Sequence, residues 1–251
     1  MTRDFIDHFG AVSGGYAHFR PSYPAALFAW LAEIAPTHQL AWDCATGTGQ
    51  AALALADHFK AVIATDASAS QLAAAEPHPG VQYRLGPAEN PGLEAASIDL
   101  VTVAQALHWF EWPRFFAEVE RVLRPGGVLA VWSYGVTTVE GKGVDDLVQH
   151  FYQCIVGPYW PAERALVENG YRDLELPFRD LPAPSFAMTT AWSLEQLLGY
   201  LATWSASARY RVARGSDPLD QIRQQLAAAW GEASAKRLIH WPLSVKAARR
   251  P

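Results

Sequence analysis

The sequence has little cysteine and no long apolar run, and each shortage excludes a class of protein. Two cysteines occur among 251 residues, Cys44 and Cys154, far apart and without a partner motif. Neither a disulfide framework nor a zinc site is expected, and no metal is predicted. No apolar stretch reaches the roughly 20 residues that a membrane span needs, and the first ten residues lack the apolar core of a secretory signal. We therefore expect a cytoplasmic protein without a membrane partner.

An excess of positive charge is also missing. The formal net charge is -5, although half of the residues are hydrophobic and can bury a large core. Such a charge argues against long-range attraction to a nucleic-acid backbone. Arg249 and Arg250 form a small basic pair, which we interpret as a solvated tail. No nucleic-acid partner is predicted, a small-molecule substrate is favoured, and the oligomeric state stays open.

Short apolar segments alternate with helical ones through the first half of the chain. Five strands are predicted, at residues 40–44, 61–66, 81–85, 98–103 and 128–132. Strands that alternate with helices form a parallel sheet with helices on both faces, through right-handed crossovers. Two further strands, at 186–192 and within 238–247, bring the predicted total to seven.

The regular alternation of strands and helices ends after residue 133. Residues 136–183 are rich in aromatics and prolines, and we interpret them as a helical cap inserted after the fifth strand. An alternative makes residues 136–251 a separate domain, but no linker composition supports it. We predict a single domain over residues 1–251, with an N-terminal lid at about residues 1–23.

A glycine-rich turn follows the first strand. The letters DCATGTGQ at residues 43–50 contain Gly47 and Gly49, and glycines let the backbone turn tightly and approach a ligand because they lack a Cβ. Asp66 ends the second strand nineteen residues after Gly47, where an acid accepts hydrogen bonds from ribose hydroxyls. These features suit a nicotinamide dinucleotide and S-adenosylmethionine equally.

Asp43 favours the second of these ligands. It lies four residues before Gly47, where its charge would repel a pyrophosphate but attract the ammonium group of a sulfonium amino acid. Some forty residues that include a helix precede the turn, whereas dinucleotide folds often start almost directly with the strand. The letters LRPGG at residues 123–127 are also typical of the methyl-donor fold.

Several motifs together resemble the class I S-adenosylmethionine-dependent methyltransferases. They are DCATGTGQ (43–50), ATDAS (64–68), GPAENP (86–91), IDLVTVAQALHWF (98–110) and LRPGGVLAVW (123–132). Residues 16–24 and the letters HWPLSVKAAR near the C-terminus resemble a small-molecule branch that includes trans-aconitate methyltransferase-like proteins. The resemblance implies an α/β, doubly wound, seven-stranded, mostly parallel sheet of Rossmann-like type, and S-adenosylmethionine as cofactor. Ala45 departs from the pattern, since many relatives carry glycine there.

The resemblance also implies residue roles. Asp43, Ala45, Gly47 and Gly49 would hold the methionine moiety, Asp66 the ribose, Ala67 the adenine face, Ala88 and Glu89 the adenine edge, and Gln105 and Ala106 the surroundings of the sulfonium. Tyr16 and Arg20 belong to the N-terminal segment, which would fold over the cofactor. Arg20 would pair with a carboxylate of the cofactor or of an acidic substrate; the alternative is an exposed surface arginine.

Four residues are predicted to form the acceptor side of the site, where the molecule that receives the methyl group would bind. His108 and Trp109 follow the fourth strand and should face the transferred methyl, while Tyr159 and Trp160 in the cap would wall the pocket. Simple packing in the core or the cap is the alternative for each. An ionised carboxylate acceptor needs no base, whereas a hydroxyl or amine does, and His108 is then the candidate catalytic residue.

The predicted function is methyl transfer from S-adenosylmethionine to a small molecule, with a carboxylate as one candidate acceptor. The place after the fourth strand reads AQALHW, not the Asn/Asp-Pro-Pro-Tyr turn of enzymes that methylate amino groups of DNA bases. A nicotinamide-dependent oxidoreductase and a catalytically silent S-adenosylmethionine-binding protein remain alternatives.

Overall fold

The computed structural model describes residues 21–251, in which a mostly parallel sheet forms the centre of the molecule. The parallel strands are β1 (Leu40–Cys44), β2 (Ala61–Asp66), β3 (Val81–Leu85), β4 (Ile98–Ala104) and β5 (Leu123–Tyr134). Their order in the sheet is β3-β2-β1-β4-β5. The chain therefore reverses its direction of winding between β1 and β4, and ligands of open α/β sheets bind at the carboxyl ends of strands at such a point.

A long last strand, β9 (Arg237–Arg249), closes the sheet in the antiparallel direction. Its C-terminal half pairs with β5, and its N-terminal half pairs with β8 (Ala187–Trp192). Two shorter strands also pair with β9: β6 (Thr138–Val139) and β7 (Arg179–Leu181). The predicted mostly parallel α/β sheet is confirmed. Residues 21–251 contain nine strands, whereas seven were predicted. The two additional strands are β6 and β7, which form because the 13-residue β9 is long enough to pair with them as well.

Helices cover both faces of the parallel strands. They are α1 (Ala25–Ile34), α2 (Gln50–Ala56), α3 (Ala69–Ala73) and α4 (Trp112–Val122). One face packs against α1 and α2 through residues such as Leu31 and Leu55, and the other packs against α4 through Phe115 and Val119. Side chains of β5 alternate between these two cores, so Val131 lies in the α4 core and Trp132 in the α1 core.

Further helices follow β5, and most of them build a separate layer with its own core, whereas the short helix Arg164–Glu168 packs against β5 and residues 107–109. They are α5 (Lys142–His150), a π-helical turn (Phe151–Ile155), a 3-10 turn (Gly157–Tyr159), α6 (Arg164–Glu168), α7 (Leu194–Ala202), α8 (Ser205–Arg214), a 3-10 turn (Pro218–Gln221) and α9 (Arg223–Trp230). Eight of the 21 buried residues of this core are aromatic, among them Phe151, Trp204 and Trp241. It contains residues from both sides of β8, so the cap is larger than the predicted insertion at 136–183. Within residues 21–251, no helix combines the length and apolarity needed to cross a membrane.

Candidate active site

The glycine-rich turn leaves β1 through a series of left-handed backbone conformations. Ala45, Gly47 and Gly49 have φ values of 54°, 59° and 86°. The Thr46 amide donates to the Thr65 carbonyl at 2.9 Å and ties the turn to β2. Glycine adopts this conformation freely, whereas an L residue loses about 1–2 kcal/mol there. Ala45 is therefore the strained position of the turn.

Asp66 links this turn to the next one. Its Oδ2 accepts from the Gly47 amide at 2.8 Å, and its Oδ1 accepts from the Ser68 amide at 2.8 Å. Each carboxylate oxygen can accept more than one hydrogen bond. The half-buried Asp66 can thus keep both amides while it accepts from further hydroxyls, as its predicted ribose role requires.

Asp43 lies beneath the turn, with 1% of its surface exposed. Its Oδ2 accepts from the Thr46 hydroxyl at 2.5 Å, and its Oδ1 accepts from the Thr102 hydroxyl at 2.7 Å. Burial raises the pKa of Asp43 to about 6, although the two hydroxyls oppose this rise. Asp43 thus holds two strand ends together, and its contact with the methionine moiety stays a prediction.

The two glycines differ in what surrounds them. A Cβ on Gly49 would overlap the ring of Tyr83, whereas a Cβ on Gly47 would meet, among the described residues, only the Gln71 Oε1 atom at 3.8 Å. Gln71 is buried, and this oxygen has no hydrogen-bond partner in the described part of the chain. The open space above Gly47 fits the close approach of a cofactor to the backbone.

The predicted adenine-side residues lie on the neighbouring loops. Ala67 directly follows Asp66 and is half-buried, and Ala88 packs against the core that contains α4. The Glu89 Oε1 atom accepts from the Glu111 amide at 3.1 Å, immediately before α4 begins. Glu89 therefore has a structural partner at the helix start, and its role toward the adenine edge remains a prediction.

Gln105 and Ala106 mark the point where β4 leaves the sheet. Gln105 has a left-handed φ of 56°; its amide donates to the Trp132 carbonyl at 2.9 Å and its Nε2 to the Tyr134 carbonyl at 3.1 Å. Ala106 is buried. Both residues thus lie at the carboxyl end of β4 beside β5, where the resemblance places the reacting sulfur.

His108 lies in the 3-10 turn that follows (Leu107–Trp109). Its Nδ1 atom is 2.8 Å from the Tyr171 hydroxyl, and its ring centroid is 4.7 Å from that of Trp109. Burial, with a smaller contribution from the charge of Arg164, lowers the pKa of His108 to about 3. The imidazole is therefore neutral throughout the physiological pH range.

Tyr171 contacts His108 of the candidate site, and the sequence does not reveal this contact. It is 1% exposed, has a left-handed φ of 55°, and lies 63 residues from His108 along the chain. Burial raises the pKa of its phenol well above the usual range, so the hydroxyl keeps its proton. No motif marks this position. The only local signal is the preceding Gly170, which is also left-handed at φ 64°.

The two predicted cap aromatics have different neighbours. The Tyr159 hydroxyl accepts from Arg214 Nε at 2.7 Å, and its ring centroid lies 5.0 Å from that of Tyr210, so these partners come from α8. Trp160 instead lies 5.0 Å from the Tyr152 ring, and its ring is covered by the guanidinium of Arg164 at 4.7 Å. Their contact with an acceptor stays a prediction.

Two further predictions concern the N-terminal segment and metals. Tyr16 and Arg20 lie outside the described residues. Within residues 21–251, no cluster of three or more histidine, cysteine or acidic side chains could hold a metal ion.

Comparison with known proteins identifies the family. Residues 42–131 match the methyltransferase domain family. Over 229 residues the chain is 35% identical to a candidate methyltransferase of Dictyostelium discoideum, covering 90% of this chain and 87% of the relative. A Saccharomyces cerevisiae protein named as a candidate S-adenosylmethionine-dependent methyltransferase is 31% identical over 131 residues, 49% of this chain and 45% of the relative. The solved structure of a candidate type II methyltransferase from Anaeromyxobacter dehalogenans is 45% identical, with a TM-score of 0.85, and the match covers 92% of this chain and 97% of that one.

The chain therefore belongs to the class I S-adenosylmethionine-dependent methyltransferases. It is an enzyme whose cofactor is S-adenosylmethionine, and the alternatives of a nicotinamide-dependent oxidoreductase and of a silent binding protein are set aside.

Proposed function

We propose that this enzyme methylates a small-molecule acceptor and that the methylated group is a carboxylate, as in the trans-aconitate methyltransferase-like branch. The observation that carries this proposal is the neutral, half-buried His108 in the turn that follows β4. A base whose conjugate acid has a pKa of about 3 removes a proton from a hydroxyl or an ammonium group inefficiently near neutral pH. An ionised carboxylate needs no base, so it suits the environment of His108 better than a hydroxyl or an amine does.

The roles of the site residues are part of the proposal. When bound, S-adenosylmethionine supplies a methyl carbon activated by sulfonium, and the protein contributes alignment and exclusion of water. The turn with Asp43, Ala45, Gly47 and Gly49 would hold the methionine moiety. Asp66 would hold the ribose, Ala67, Ala88 and Glu89 would contact the adenine, and Gln105 and Ala106 would lie beside the sulfur. His108 and Trp109 would line the acceptor pocket, with Nδ1 of His108 fixed by Tyr171.

We also infer one domain and a cytoplasmic location. The single strand β9 joins the parallel sheet to the cap through pairing with both β5 and β8, which favours one folding unit over two. Cys44 and Cys154 are both free, as is usual for proteins of a reducing compartment.

The experiment that tests this function uses a methyl donor labelled with deuterium. The enzyme is incubated with the trideuteromethyl form of S-adenosylmethionine and the small-molecule fraction of a cell extract, and labelled products are found by mass spectrometry. We expect a labelled methyl ester of a small acid. Mild alkali should release its label, because esters hydrolyse under conditions that leave ethers and methylamines intact. Label that resists alkali, or that enters only macromolecules, would refute the proposal.

A further inference from the structure

Arg164, the first residue of α6, lies against the aromatic rings of Tyr152 and Trp160. Its guanidinium carbon is 4.7 Å from the centroid of the Trp160 ring and 5.6 Å from that of Tyr152, and its Nε donates to the Tyr152 hydroxyl at 3.0 Å. The side chain keeps 19% of its surface accessible. The guanidinium is thus held in a fixed orientation by rings without being sealed from an incoming ligand.

Most hydrogen-bond donors of Arg164 are unused. The side chain of an arginine carries five N–H donors, and within residues 21–251 the hydrogen bond from Nε to Tyr152 is the one that the Arg164 side chain makes. Arg124 shows what a structural arginine looks like in this protein: its Nη1 is 2.8 Å from the buried Asp99 carboxylate and its Nη2 donates to the Ser97 carbonyl. The terminal nitrogens of Arg164 have no such acceptors among the described residues.

The charge of Arg164 is also incompletely balanced. Its nearest acid, Glu168, has Oε1 3.9 Å from Nε and is itself 44% exposed. The same Glu168 oxygen accepts a hydrogen bond from the Tyr152 hydroxyl. An ion pair of this length and exposure contributes little, so Arg164 retains most of its capacity to bind an anion.

The position of α6 directs this charge toward the reacting centre. This helix packs against the 3-10 turn that carries His108, and Tyr171 follows it with its amide donating to the Leu166 carbonyl at 2.9 Å. The Tyr171 hydroxyl then meets His108. Accordingly, the positive charge of Arg164 lowers the pKa of both His108 and Tyr171.

We infer that Arg164 holds an anionic group of the acceptor and thereby sets the substrate class of the enzyme; the inference rests on the proposed function. The flat fork of Nη1 and Nη2 matches the two oxygens of a carboxylate, which can accept two parallel hydrogen bonds. Trp160 and Tyr152 hold the plane of this fork in one orientation and reduce its hydration. An acceptor bound in this way lies between the cap and the carboxyl end of β4.

The experiment measures carboxylate binding in the presence of adenosylhomocysteine. Benzoate, succinate and other short carboxylates are each compared with the corresponding amide by calorimetry, using the wild type, Arg164→Gln and Arg164→Lys. We expect the wild type to bind carboxylates in preference to amides and Arg164→Gln to bind them about 10- to 100-fold more weakly, because a charge-assisted hydrogen bond is lost. Arg164→Lys should fall between, since it keeps the charge but loses the fork.

Two controls separate this effect from damage to the fold. Arg172→Gln removes an exposed arginine close by in the chain and should leave carboxylate binding unchanged. Adenosylhomocysteine should raise the melting temperature of Arg164→Gln as much as that of the wild type, which shows an intact cofactor site.

Glu168 gives a reciprocal test. Glu168→Gln keeps an oxygen that can accept from Tyr152 but removes the negative charge beside Arg164. Carboxylate binding should therefore become about 2- to 5-fold tighter, the range expected for a partly exposed ion pair. A purely structural role of Arg164 would give no such gain.

The outcomes distinguish this inference from the proposed function. Equal carboxylate affinity in the wild type and Arg164→Gln, or no preference for carboxylates over amides in the wild type, would overturn the role of Arg164. If carboxylates bind through Arg164 but no methyl ester is formed, the inference stands and the proposed function fails. If esters are formed equally well without Arg164, the proposed function stands and the inference fails.

Discussion

The cofactor side of the site comes from the ends of neighbouring strands, whereas the acceptor side is assembled from segments that are far apart in the chain. Asp43, Gly47 and Asp66 lie within 24 residues, and the Gly47 amide donates to Asp66. His108, Arg164 and Tyr171 come from a turn after β4 and from the cap. A backbone motif fixes the first side, while packing of the cap on the sheet fixes the second. Mutations should therefore act differently on the two sides.

The largest effect is expected on the cofactor side, at Asp66. Asp66→Ala should remove most of the rise in melting temperature that adenosylhomocysteine causes, because the ribose hydroxyls and the Gly47 amide lose their acceptor. A loss of about 2–3 kcal/mol in binding is expected for hydrogen bonds to a charged group. Asp57→Ala, which removes an exposed acid after α2, is the control and should keep the full shift. An unchanged shift in Asp66→Ala would remove this residue from the site.

On the acceptor side, Tyr171→Phe should cost stability more than cofactor binding. The change leaves the Nδ1 atom of the half-buried His108 without its Tyr171 partner, which costs about 1–3 kcal/mol. Urea unfolding measures this loss. Tyr210→Phe is the matched control, since its hydroxyl accepts an exposed hydrogen bond from Gln221. Equal stability of the two variants would show that the His108–Tyr171 contact is not formed in solution.

A smaller and pH-dependent effect is expected at Asp43. Its folded-state pKa is raised from 3.8 to about 6, so its negative charge appears as the pH rises through about 6. If Asp43 attracts the ammonium group of the cofactor, affinity for adenosylhomocysteine should increase between about pH 5 and pH 7 and level off above. Asp43→Asn should flatten this profile, and Asp57→Asn should leave it as it is. A profile that is the same in Asp43→Asn and the wild type would assign Asp43 a structural role alone.

The smallest effect is expected at Ala45. Ala45→Gly relieves about 1–2 kcal/mol of left-handed backbone strain, but glycine also gains about 0.4–1 kcal/mol of freedom in the unfolded chain. The net change should be a stabilisation of about 1 kcal/mol or less, measured by urea unfolding. Clear destabilisation would mean that Ala45 does not adopt its left-handed φ of 54° in solution.

The same contrast explains what could be predicted from sequence. The ends of β1, β2 and β3 agree with the predicted strands, because each is marked by apolar and glycine-rich residues that are neighbours in the chain. The short strands β6 and β7 were not predicted, since they exist only through pairing with β9.

The cap residues of the candidate site show the same limit. Tyr159 and Trp160 are adjacent in sequence, yet one has partners in α8 and the other contacts Arg164. Arg164 and Tyr171 carry no motif, because their proximity to His108 arises from tertiary packing. The conformation of the glycine-rich turn was therefore open to prediction from sequence, and the packing around His108 largely was not.

The cofactor side and the acceptor side are proposed to meet at the carboxyl end of β4. A crystal structure of the enzyme with adenosylhomocysteine and benzoate would show directly whether they do. We expect the homocysteine sulfur beside Gln105 and Ala106, the ribose on Asp66, and the benzoate carboxylate on the Nη atoms of Arg164, next to His108. Benzoate bound away from Arg164, or a sulfur atom that points away from the cap, would contradict it.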